Sequence, residues 1–352
     1  MKFAIAGAGY IAAIHARAVQ NCGEQVAAVV EKYSDKSAAF ARQFGISRQY
    51  TTVEELLKDG GADALVIGTP NFLHAPQTLA ALKAGIPVLV EKPMAMNAVE
   101  AEQMLSASRR FGVALMVAHC WRFDQDVLWL KSQVARIGRV LRTKGYGVHT
   151  HWGPAGWFTQ KKLAGGGALA DMGIHALDTT RFLLGDPQPV SVYARIGTYY
   201  QDFDVDDTGV LMVNWDNGAV SYIESGWWQP HSDGAEAATQ LYGQQGFARL
   251  FPTLLELPDP GKKRVETVKS GFKFPRKEHC PQSMYDAQMA HFIQAITEKT
   301  VPVPGGEEGL VNMKVIDAAY RSARTGEVVP VPARGEVVPV PARGKVVEIN
   351  TS

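Results

Sequence analysis

The chain has 352 residues, which is more than one hydrophobic core usually supports, so we expect two domains. Hydrophobic residues make up 46% and charged residues 20% of the chain, as in ordinary globular proteins. The 36 basic and 35 acidic residues give a net charge of +1, and no Lys/Arg cluster forms a stripe, so we expect no nucleic-acid partner. The three cysteines are scattered, and no apolar stretch reaches the roughly 18 residues of a membrane span, so we expect a soluble, cytoplasmic protein.

Short β-rich runs alternate with amphipathic helices over the first part of the chain. Because strand–helix alternation is typical of a doubly wound parallel sheet, this half is predicted to be α/β. Its strands are continuous apolar runs, which indicates that helices cover both faces of the sheet. The predicted strands are KFAIAG, VAAVVE, ADALVIGTP, PVLVEKP and VALMVAH, and the predicted helices span 11–21, 35–45, 53–59, 75–85 and 98–112.

The pattern changes past residue 122, where β segments dominate and an Asn-Gly pair at 217–218 predicts a hairpin. We therefore expect an α+β domain with a mostly antiparallel sheet. The predicted helices span 124–136, the segment around AGGGALADMGIHALD, 281–298 and 307–324, and the predicted β segments span 140–152, 190–200, 208–228 and 238–251.

We expect domains over 1–121 and 122–330 and an extended tail over 331–352. The tail contains the second copy of a nine-residue repeat, because GEVVPVPAR at 326–334 recurs at 335–343. Two copies are too few for a solenoid. They indicate either a Pro-rich extended segment or an arm that joins a neighbouring subunit.

The stretch GAGYIA matches a dinucleotide-binding fingerprint between a predicted strand and a predicted helix. Its glycines permit a tight turn and a close approach of the backbone to a pyrophosphate, and the helix N-terminus supplies amide donors. Glu31 ends the second strand, where an acid can bind both ribose hydroxyls and repel a 2′-phosphate; a solvated strand-end charge is the alternative. Lys32 could reach such a phosphate, so we expect NAD but leave NADP possible. The predicted cofactor-binding residues here are Gly7, Gly9, Tyr10, Ile11, Ala12, Glu31 and Lys32.

Two further turns, GTPNFLH and VEKP, follow the third and fourth apolar strands. Ligands of open α/β sheets bind at the carboxyl ends of the strands. We therefore expect Lys92 to project into the crevice at the nicotinamide end. The predicted cofactor-binding residues of these turns are Thr69, Asn71, His74, Glu91 and Lys92.

The stretch AGGGALADMGIHALD places Asp171 and His175 four residues apart, on one face of a predicted helix. Three glycines before it would let the chain pass close to the cofactor. A neutral imidazole suits the removal of a hydroxyl proton, and Asp171 could hold that imidazole or a neighbouring hydroxyl. The alternative is a buried structural histidine and a first-turn acid stabilised by the helix dipole.

The motifs GAGYIA, TPNFLH, EKP, WRF, GGGALADMGIHALD and EEGLVNMKVIDAAYRSARTGEVV occur in an order that resembles the glucose–fructose oxidoreductase / inositol dehydrogenase (Gfo/Idh/MocA) family. The resemblance covers nearly the whole chain. It implies an N-terminal Rossmann domain, an open-faced C-terminal sheet that pairs subunits into dimers or tetramers, and sugars, cyclitols or related polyols as substrates. It also implies that Lys92, Asp171 and His175 are the catalytic residues, with His175 as the proton acceptor. The sequence Cys120-Trp121-Arg122-Phe123 departs from the Asn before Arg-Arg-Phe of many members.

Three residues are candidates for substrate contacts: Arg122, His151 and Trp157. Arg122 could equally form a structural ion pair. His149 and His151 alternate on one strand face and could suggest a metal, but no third ligand follows, so we expect none. Asp178 is expected to brace the helix of His175.

The sequence thus favours an NAD(P)-dependent oxidoreductase that acts on a hydroxyl or carbonyl carbon. Two alternatives stay open, namely a glycoside hydrolase that uses NAD transiently for oxidation and elimination, and a non-catalytic nucleotide-binding sensor. Steady accumulation of NADH from a polyol would distinguish the first from the others.

Overall fold

The computed structural model describes residues 1–231, 235–259, 261 and 264–331. The second copy of the repeat, at 335–343, lies outside these residues. No helix within the described part of the chain is long and apolar enough to cross a membrane.

The first half of the chain forms a six-stranded parallel sheet. The parallel sheet and five of its strands were predicted, and the edge strand at Arg48–Tyr50 was not. The strand order is β3-β2-β1-β4-β5-β6, so the direction of winding reverses between β1 and β4 and opens a crevice at their carboxyl ends. The strands are β1 (Lys2–Ala6), β2 (Gln25–Val30), β3 (Arg48–Tyr50), β4 (Ala64–Ile67), β5 (Val88–Val90) and β6 (Leu115–Val117). The helices are α1 (Tyr10–Asn21), α2 (Ser34–Phe44), α3 (Val53–Asp59), α4 (His74–Lys83) and α5 (Ala98–Phe111).

Local signals fix the ends of these helices. Thr52 and Asn97 cap α3 and α5 with side chains that accept from the amides of Glu55 and Glu100. Gly45 and Gly112 follow α2 and α5 in the left-handed conformation that favours glycine at a helix end. The predicted helix boundaries are therefore close to those observed.

The second half forms a nine-stranded sheet of order β14-β13-β12-β11-β7-β10-β9-β8-β15. Among the described strands of this second sheet, only the β7/β10 pair is parallel, so the prediction of a mostly antiparallel sheet is confirmed. The Asn-Gly pair at 217–218 lies in the predicted hairpin between β9 and β10. The strands are β7 (Val140–Thr150), β8 (Pro189–Gly197), β9 (Thr208–Trp215), β10 (Val220–Gln229), β11 (Ala237–Gly243), β12 (Phe247–Arg249), β13 (Leu254–Asp259), β14 (Arg264–Lys269) and β15 (Val329–Pro330).

Two C-terminal helices return to the first sheet. The rings of Phe292 and Phe3 lie 6.4 Å apart, and the amide of Ala98 donates to Oδ2 of Asp317 at 2.9 Å. The division into domains at residues 121 and 330 stays a prediction. The helices of this half are α6 (Gln125–Gln133), α7 (Lys161–Ala164), a π-helix (Leu169–Gly173) that continues into α8 (Ile174–Leu183), α9 (Gln282–Glu298) and α10 (Gly306–Thr325).

The first copy of the repeat belongs to the sheet. Its strand β15 pairs antiparallel with β8, and the amide of Val331 donates to the carbonyl of Val190 at 2.9 Å. Val329 and Val331 are buried, which anchors this segment by its apolar side chains. The described part of the first copy is therefore an edge strand.

Candidate active site

Two glycines, Gly7 and Gly9, shape the crevice at the end of β1, and each does so for a different reason. Gly7 has φ +98°, and a Cβ atom there would lie 2.7 Å from the carbonyl oxygen of Gly68, so β1 and β4 meet there without side chains. Gly9 precedes α1, and nothing lies within 4 Å of the position of its missing Cβ. No side chain of the described residues caps α1, so its first amides are free to bind an anion.

The flanks of this turn fit a dinucleotide. Ala12 is fully buried, and a Cβ added to Gly68 would lie 3.3 Å from Cγ2 of Ile11, so helix and strand pack closely, whereas Tyr10 is exposed. Glu31 follows β2, and its Oε1 accepts from the amide of Tyr33 at 3.1 Å. These residues lie where the fingerprint predicts them, and an open glycine before uncapped amides matches a pyrophosphate.

The lysine beside Glu31 is directed towards an aromatic ring. Nζ of Lys32 lies 4.7 Å from the ring centroid of Tyr33, and Nζ of Lys36 lies 5.1 Å from the same centroid. Both an acid and two cations therefore lie near the end of β2. The role of Glu31 and Lys32 in choosing between NAD and NADP stays a prediction.

The TPNFLH and EKP turns are fastened to each other through His74. Its Nδ1 lies 2.8 Å from the carbonyl oxygen of Pro93 and its Nε2 lies 2.8 Å from that of Thr69. The ring is 1% exposed, so the predicted cofactor contact of His74 is wrong, because both nitrogens are engaged beneath the surface. The hydroxyl of Thr69 donates to Oε1 of Gln77 at 2.8 Å.

Asn71 connects the two halves of the molecule. It is buried, and its Nδ2 donates to the carbonyl oxygen of Ala164 at 2.8 Å, just before the triglycine. This hydrogen bond gives Asn71 a structural duty that the sequence did not indicate. Its contact with the cofactor stays a prediction.

Glu91 supports Lys92 from below. Its Oε1 lies 2.7 Å from Nε2 of His15, and its Oε2 accepts from the amide of Lys92 at 3.0 Å. Burial alone would raise the pKa of Glu91, but the hydrogen bond and charge of His15 keep that pKa below its usual value. Because the carboxylate is buried and bonded on both oxygens, the predicted cofactor contact of Glu91 is replaced by a supporting role.

Lys92 forms the central ion pair of the site. Its Nζ donates to Oδ1 of Asp171 at 2.7 Å and to the backbone carbonyl of Asp171 at 3.2 Å. Burial alone would lower the pKa of Lys92, but the charge and hydrogen bond of Asp171 raise it above its ordinary value. The ammonium group is therefore protonated and retains one hydrogen for a ligand.

The second oxygen of Asp171 is also occupied. Oδ2 accepts from Nε1 of Trp227 at 3.1 Å, and Trp227 is completely buried. The expectation that Asp171 holds the imidazole of His175 is therefore wrong, because Lys92 and Trp227 engage its two carboxylate oxygens. Sequence analysis had not given Trp227 a role.

The helix of Asp171 and His175 begins as a π-helix over Leu169–Gly173 and becomes α8 at Ile174. Single π turns inside helices are frequent at functional sites. The carboxylate of Asp206 accepts from the amides of Gly167 and Leu169, both at 2.8 Å. It satisfies amides at the start of this helical segment.

The structure gives the triglycine a different reason from the one expected. Gly165 has φ +80°, a Cβ atom on Gly166 would lie 2.1 Å from Oη of Tyr320, and one on Gly167 would lie 1.8 Å from the carbonyl oxygen of Asp206. The three glycines are thus required by close packing within this chain. The expected close passage of these glycines to the cofactor stays a prediction.

His175 lies one turn beyond Asp171. Burial lowers the pKa of His175 well below its ordinary 6.5, and the nearby charge of Lys92 lowers it further. The described residues give its ring no hydrogen-bond partner. His175 is thus a neutral imidazole beside a protonated lysine, ready to accept a proton.

Arg122 is not available to a substrate. Its Nε and Nη2 donate to the two carboxylate oxygens of Asp178, both at 2.8 Å, and Nη2 also donates to Asp186 at 2.7 Å. Arg122 is 3% exposed and Asp178 is fully enclosed. The predicted substrate contact of Arg122 is wrong, and Asp178 braces α8 as expected.

The opposite wall of the cleft comes from the end of β7 and two loops. His149 belongs to β7, and its Nδ1 lies 3.5 Å from Oε2 of Glu236. Burial lowers the pKa of His149, whereas the charge of Asp171 acts to raise it. Glu236 and His279 belong to the same wall. His149 was considered only as a possible metal ligand, and no role was predicted for Glu236 or His279, because only the fold brings these three residues together.

The other two substrate candidates, His151 and Trp157, stay predictions. His151 has φ +64° and its amide donates to the carbonyl of Gln229 at 2.9 Å. Trp157 stacks on Phe158 with ring centroids 3.8 Å apart. Within the described residues, no three His, Cys, Asp or Glu side chains are grouped closely enough to hold a metal ion.

Comparisons with known proteins agree with this geometry. Residues 1–119 match the oxidoreductase family with an NAD-binding Rossmann fold, GFO/IDH/MocA, and residues 131–249 match the GFO/IDH/MocA C-terminal domain. The 1,5-anhydro-D-fructose reductase of Ensifer adhaerens is 28% identical over 319 residues, which cover 89% of this chain and 93% of that protein. The D-xylose 1-dehydrogenase (NADP(+)) 2 of Haloferax volcanii is 30% identical over 315 residues, which cover 89% and 94%.

A solved structure shares the fold. Levoglucosan dehydrogenase in complex with NADH aligns with a TM-score of 0.84 over 94% of this chain and 99% of that chain, at 24% sequence identity. This agreement extends over both sheets, because it covers nearly the whole of each chain.

Proposed function

The chain belongs to the GFO/IDH/MocA family of NAD-binding oxidoreductases, and from that premise we propose that it transfers a hydride between NAD and a hydroxyl-bearing carbon of a sugar, cyclitol or related polyol. One observation carries the proposal. The protonated Nζ of Lys92 lies 2.7 Å from Asp171 at the carboxyl end of β5, beside the neutral and unpaired His175. The names of both curated relatives refer to sugars.

The residues divide the chemistry between them. His175 accepts the hydroxyl proton of the substrate, because its lowered pKa keeps the imidazole neutral at physiological pH. The remaining ammonium hydrogen of Lys92 binds the substrate oxygen and stabilises the negative charge that develops on it. When bound, NAD supplies the hydride acceptor.

Asp171 acts through Lys92. Its carboxylate raises the pKa of Lys92 and holds the ammonium in place, while Trp227 fixes the carboxylate from behind. Lys92 therefore serves as a permanent cation and not as the base. Because Lys92 is the cation and His175 is the base, substitutions of the ion pair and of His175 should affect turnover in different ways.

The proposal is tested by NADH formation from a panel of aldoses, sugar phosphates and inositols. His175→Ala should lower kcat by about 10²–10⁴-fold with at least one active compound, with NADH binding nearly unchanged. A hydrolase that uses NAD transiently would release sugar without steady NADH, and a sensor would bind NAD without turnover. Near-normal turnover by His175→Ala would overturn the role of His175.

Subunit assembly and location form a second part of the proposal. Tyr193, Met212 and Tyr222 are exposed and directly opposite one another on β8, β9 and β10, so they form an apolar row across the open sheet face. We propose that this face joins a second copy into a dimer or tetramer in the cytoplasm. Sedimentation of Met212→Lys should show smaller species than the unchanged chain, and equal species would contradict this surface.

A further inference from the structure

The wall opposite Lys92 contains a cluster whose parts hold one another in place. The indole of Trp152 stacks on the ring of His149, with centroids 3.6 Å apart and planes 28° apart. Nε1 of Trp152 donates to Oε1 of Glu236 at 2.7 Å, and the amide of Thr150 donates to the same oxygen at 3.3 Å. We call His149, Trp152 and Glu236 the wall cluster.

Unusual backbone conformations support this cluster. His151 has φ +64° and Trp228 has φ +58°, and they follow or end the neighbouring strands β7 and β10, where the pairing register shifts. The amide of Trp228 donates to the carbonyl of Trp152 at 2.8 Å. Left-handed conformations at bulky residues are strained, and such strain tends to occur at binding sites.

Two buried imidazole nitrogens at this wall, Nδ1 of His149 and Nε2 of His279, have no close hydrogen-bond partner in the described structure, and the indole Nε1 of Trp228 is a third such ring nitrogen. Nδ1 of His149 has only a long contact of 3.5 Å with Oε2 of Glu236, which leaves room for a closer partner. The ring of His279 packs against Trp121, with centroids 4.9 Å apart. A buried polar group without a partner is unfavourable, so these nitrogens suit a ligand that supplies hydroxyl groups.

The charges around this wall disfavour an anionic ligand. The two cations that act on these histidines are already paired: Lys92 with Asp171, and Arg276 with Asp124 at 2.7 Å and with Asp126 at 2.5 Å. The described residues give Glu236 no Lys or Arg partner. A phosphate or carboxylate bound beside Glu236 would thus meet a carboxylate that no described Lys or Arg neutralises.

Resting on the proposed function, we propose that His149, His279 and Glu236 bind hydroxyl groups of the substrate and select an uncharged polyol over its phosphate ester. Each imidazole can donate from one nitrogen and accept at the other, which matches the double character of a hydroxyl. Burial lowers the pKa of both histidines, so neither becomes a cation that would attract a phosphate. Trp152 stacks on His149, and its side chain is about half exposed on the solvent side of the cleft.

The charge selection is tested with matched pairs of compounds, namely D-glucose with D-glucose 6-phosphate and myo-inositol with myo-inositol 1-phosphate. We expect kcat/KM to be at least about tenfold higher for the uncharged member of an active pair. Glu236→Gln should narrow that ratio severalfold, because it removes the repelling charge and keeps the acceptor for Trp152. A preference for the phosphate, or an unchanged ratio in Glu236→Gln, would overturn the inference.

The hydroxyl contacts are tested by separate variants of the two histidines. His149→Leu and His279→Leu should each raise KM severalfold, up to about tenfold, with kcat within about threefold and the NADH Kd unchanged. His149→Asn and His279→Gln, which restore a polar group near the unpaired nitrogen, should recover most of the affinity. The matched control is His291→Leu, because His291 lies on α9 beside Phe123 and accepts from the amide of Val303.

These results separate the inference from the proposed function. The function fails if no polyol yields NADH, whereas the inference fails if both leucine variants leave KM unchanged or if the polar variants do not recover it. Without turnover, the fluorescence of Trp152 provides the test. D-glucose or myo-inositol should change the emission of the NAD-loaded chain, and Trp152→Phe should abolish that change; no change in the unsubstituted chain would overturn the inference.

Discussion

The two walls of the cleft differ in how their buried polar side chains are hydrogen-bonded. On the wall from the parallel sheet, His74 and Glu91 are buried and bonded to other parts of the protein. On the opposite wall, His149 and His279 have a buried nitrogen without a partner, and His175 has no hydrogen bond among the described residues. On the first wall the side chains that support the turns bond within the chain, although Nδ1 of His15 lacks a partner among the described residues. On the second wall we propose that a ligand supplies the missing partners.

This difference suggests that the cofactor and the substrate are bound by different kinds of groups. At the parallel sheet, side chains stiffen the turns, so on our proposal the cofactor contacts mainly backbone amides and open glycine positions. At the other wall, side chains themselves provide the hydrogen bonds. Substitutions at different positions of the cleft should therefore differ in whether they lower protein stability or ligand affinity.

Two glycines provide the largest contrast. Gly167→Ala should destabilise the protein by about 3 kcal/mol or more, because the added Cβ would lie 1.8 Å from the carbonyl of Asp206. Gly9→Ala should leave the melting temperature nearly unchanged, because the position is open and has φ −89°. It should still weaken NADH binding by about tenfold or more, because the methyl group occupies the path of the pyrophosphate.

Thermal melts and NADH titrations of the two variants measure this contrast. Equal melting temperatures for both variants would show that the packing around Gly167 relaxes easily. Undiminished NADH binding by Gly9→Ala would place the pyrophosphate elsewhere.

The next largest expected effect concerns the preference for NAD over NADP. We expect kcat/KM to favour NAD over NADP, because Glu31 follows β2 and repels a 2′-phosphate. Glu31→Gln should reduce that preference by about tenfold, corresponding to roughly 1.4 kcal/mol. An equal or better value with NADP in the unchanged chain would mean that Lys32 and Lys36, which flank Tyr33, dominate this end of the crevice.

Truncation after Arg334 should have the smallest effect. It removes the second copy of the repeat but keeps β15, whose Val329 pairs with Val192 of β8. We expect kcat and the melting temperature to stay nearly unchanged. A loss of activity, or of oligomer by light scattering, would show that the second copy is an assembly arm.

The parallel sheet could be predicted because its signals are local. Five of its six strands are buried on both faces and read as continuous apolar runs, and its helices end at glycines such as Gly45 and Gly112. The edge strand β3 reads RQY and is mostly exposed, so no apolar run predicted it. The strands β13 and β14 were not predicted. The side chains of β14 are almost all exposed and β13 contains Pro258, so neither has the alternating apolar pattern of a strand.

The roles of individual site residues depended on partners far away in the chain. The resemblance implied that Lys92 and Asp171 belong to one site, but their ion pair was not predicted, and the bond from Trp227 to Asp171 lies at a register shift in β10. For the adjacent Trp227 and Trp228, the alternation of side chains along a strand does not by itself predict which of the two rings is buried. Likewise, the need for glycine at 167 arises from Asp206, which no local pattern reveals.

The central claim is that His175 is a neutral base whose pKa is lowered by burial and by Lys92. It is tested most directly by the pH dependence of kcat/KM, from about pH 5 to about pH 9, in the unchanged chain and in Lys92→Met. A base must be unprotonated, so activity should fall only as the pH drops below 6.5, and removing the Lys92 cation should move that fall to higher pH at a reduced maximum. An acid limb that stays in place in Lys92→Met, or that persists in His175→Ala, would contradict the account.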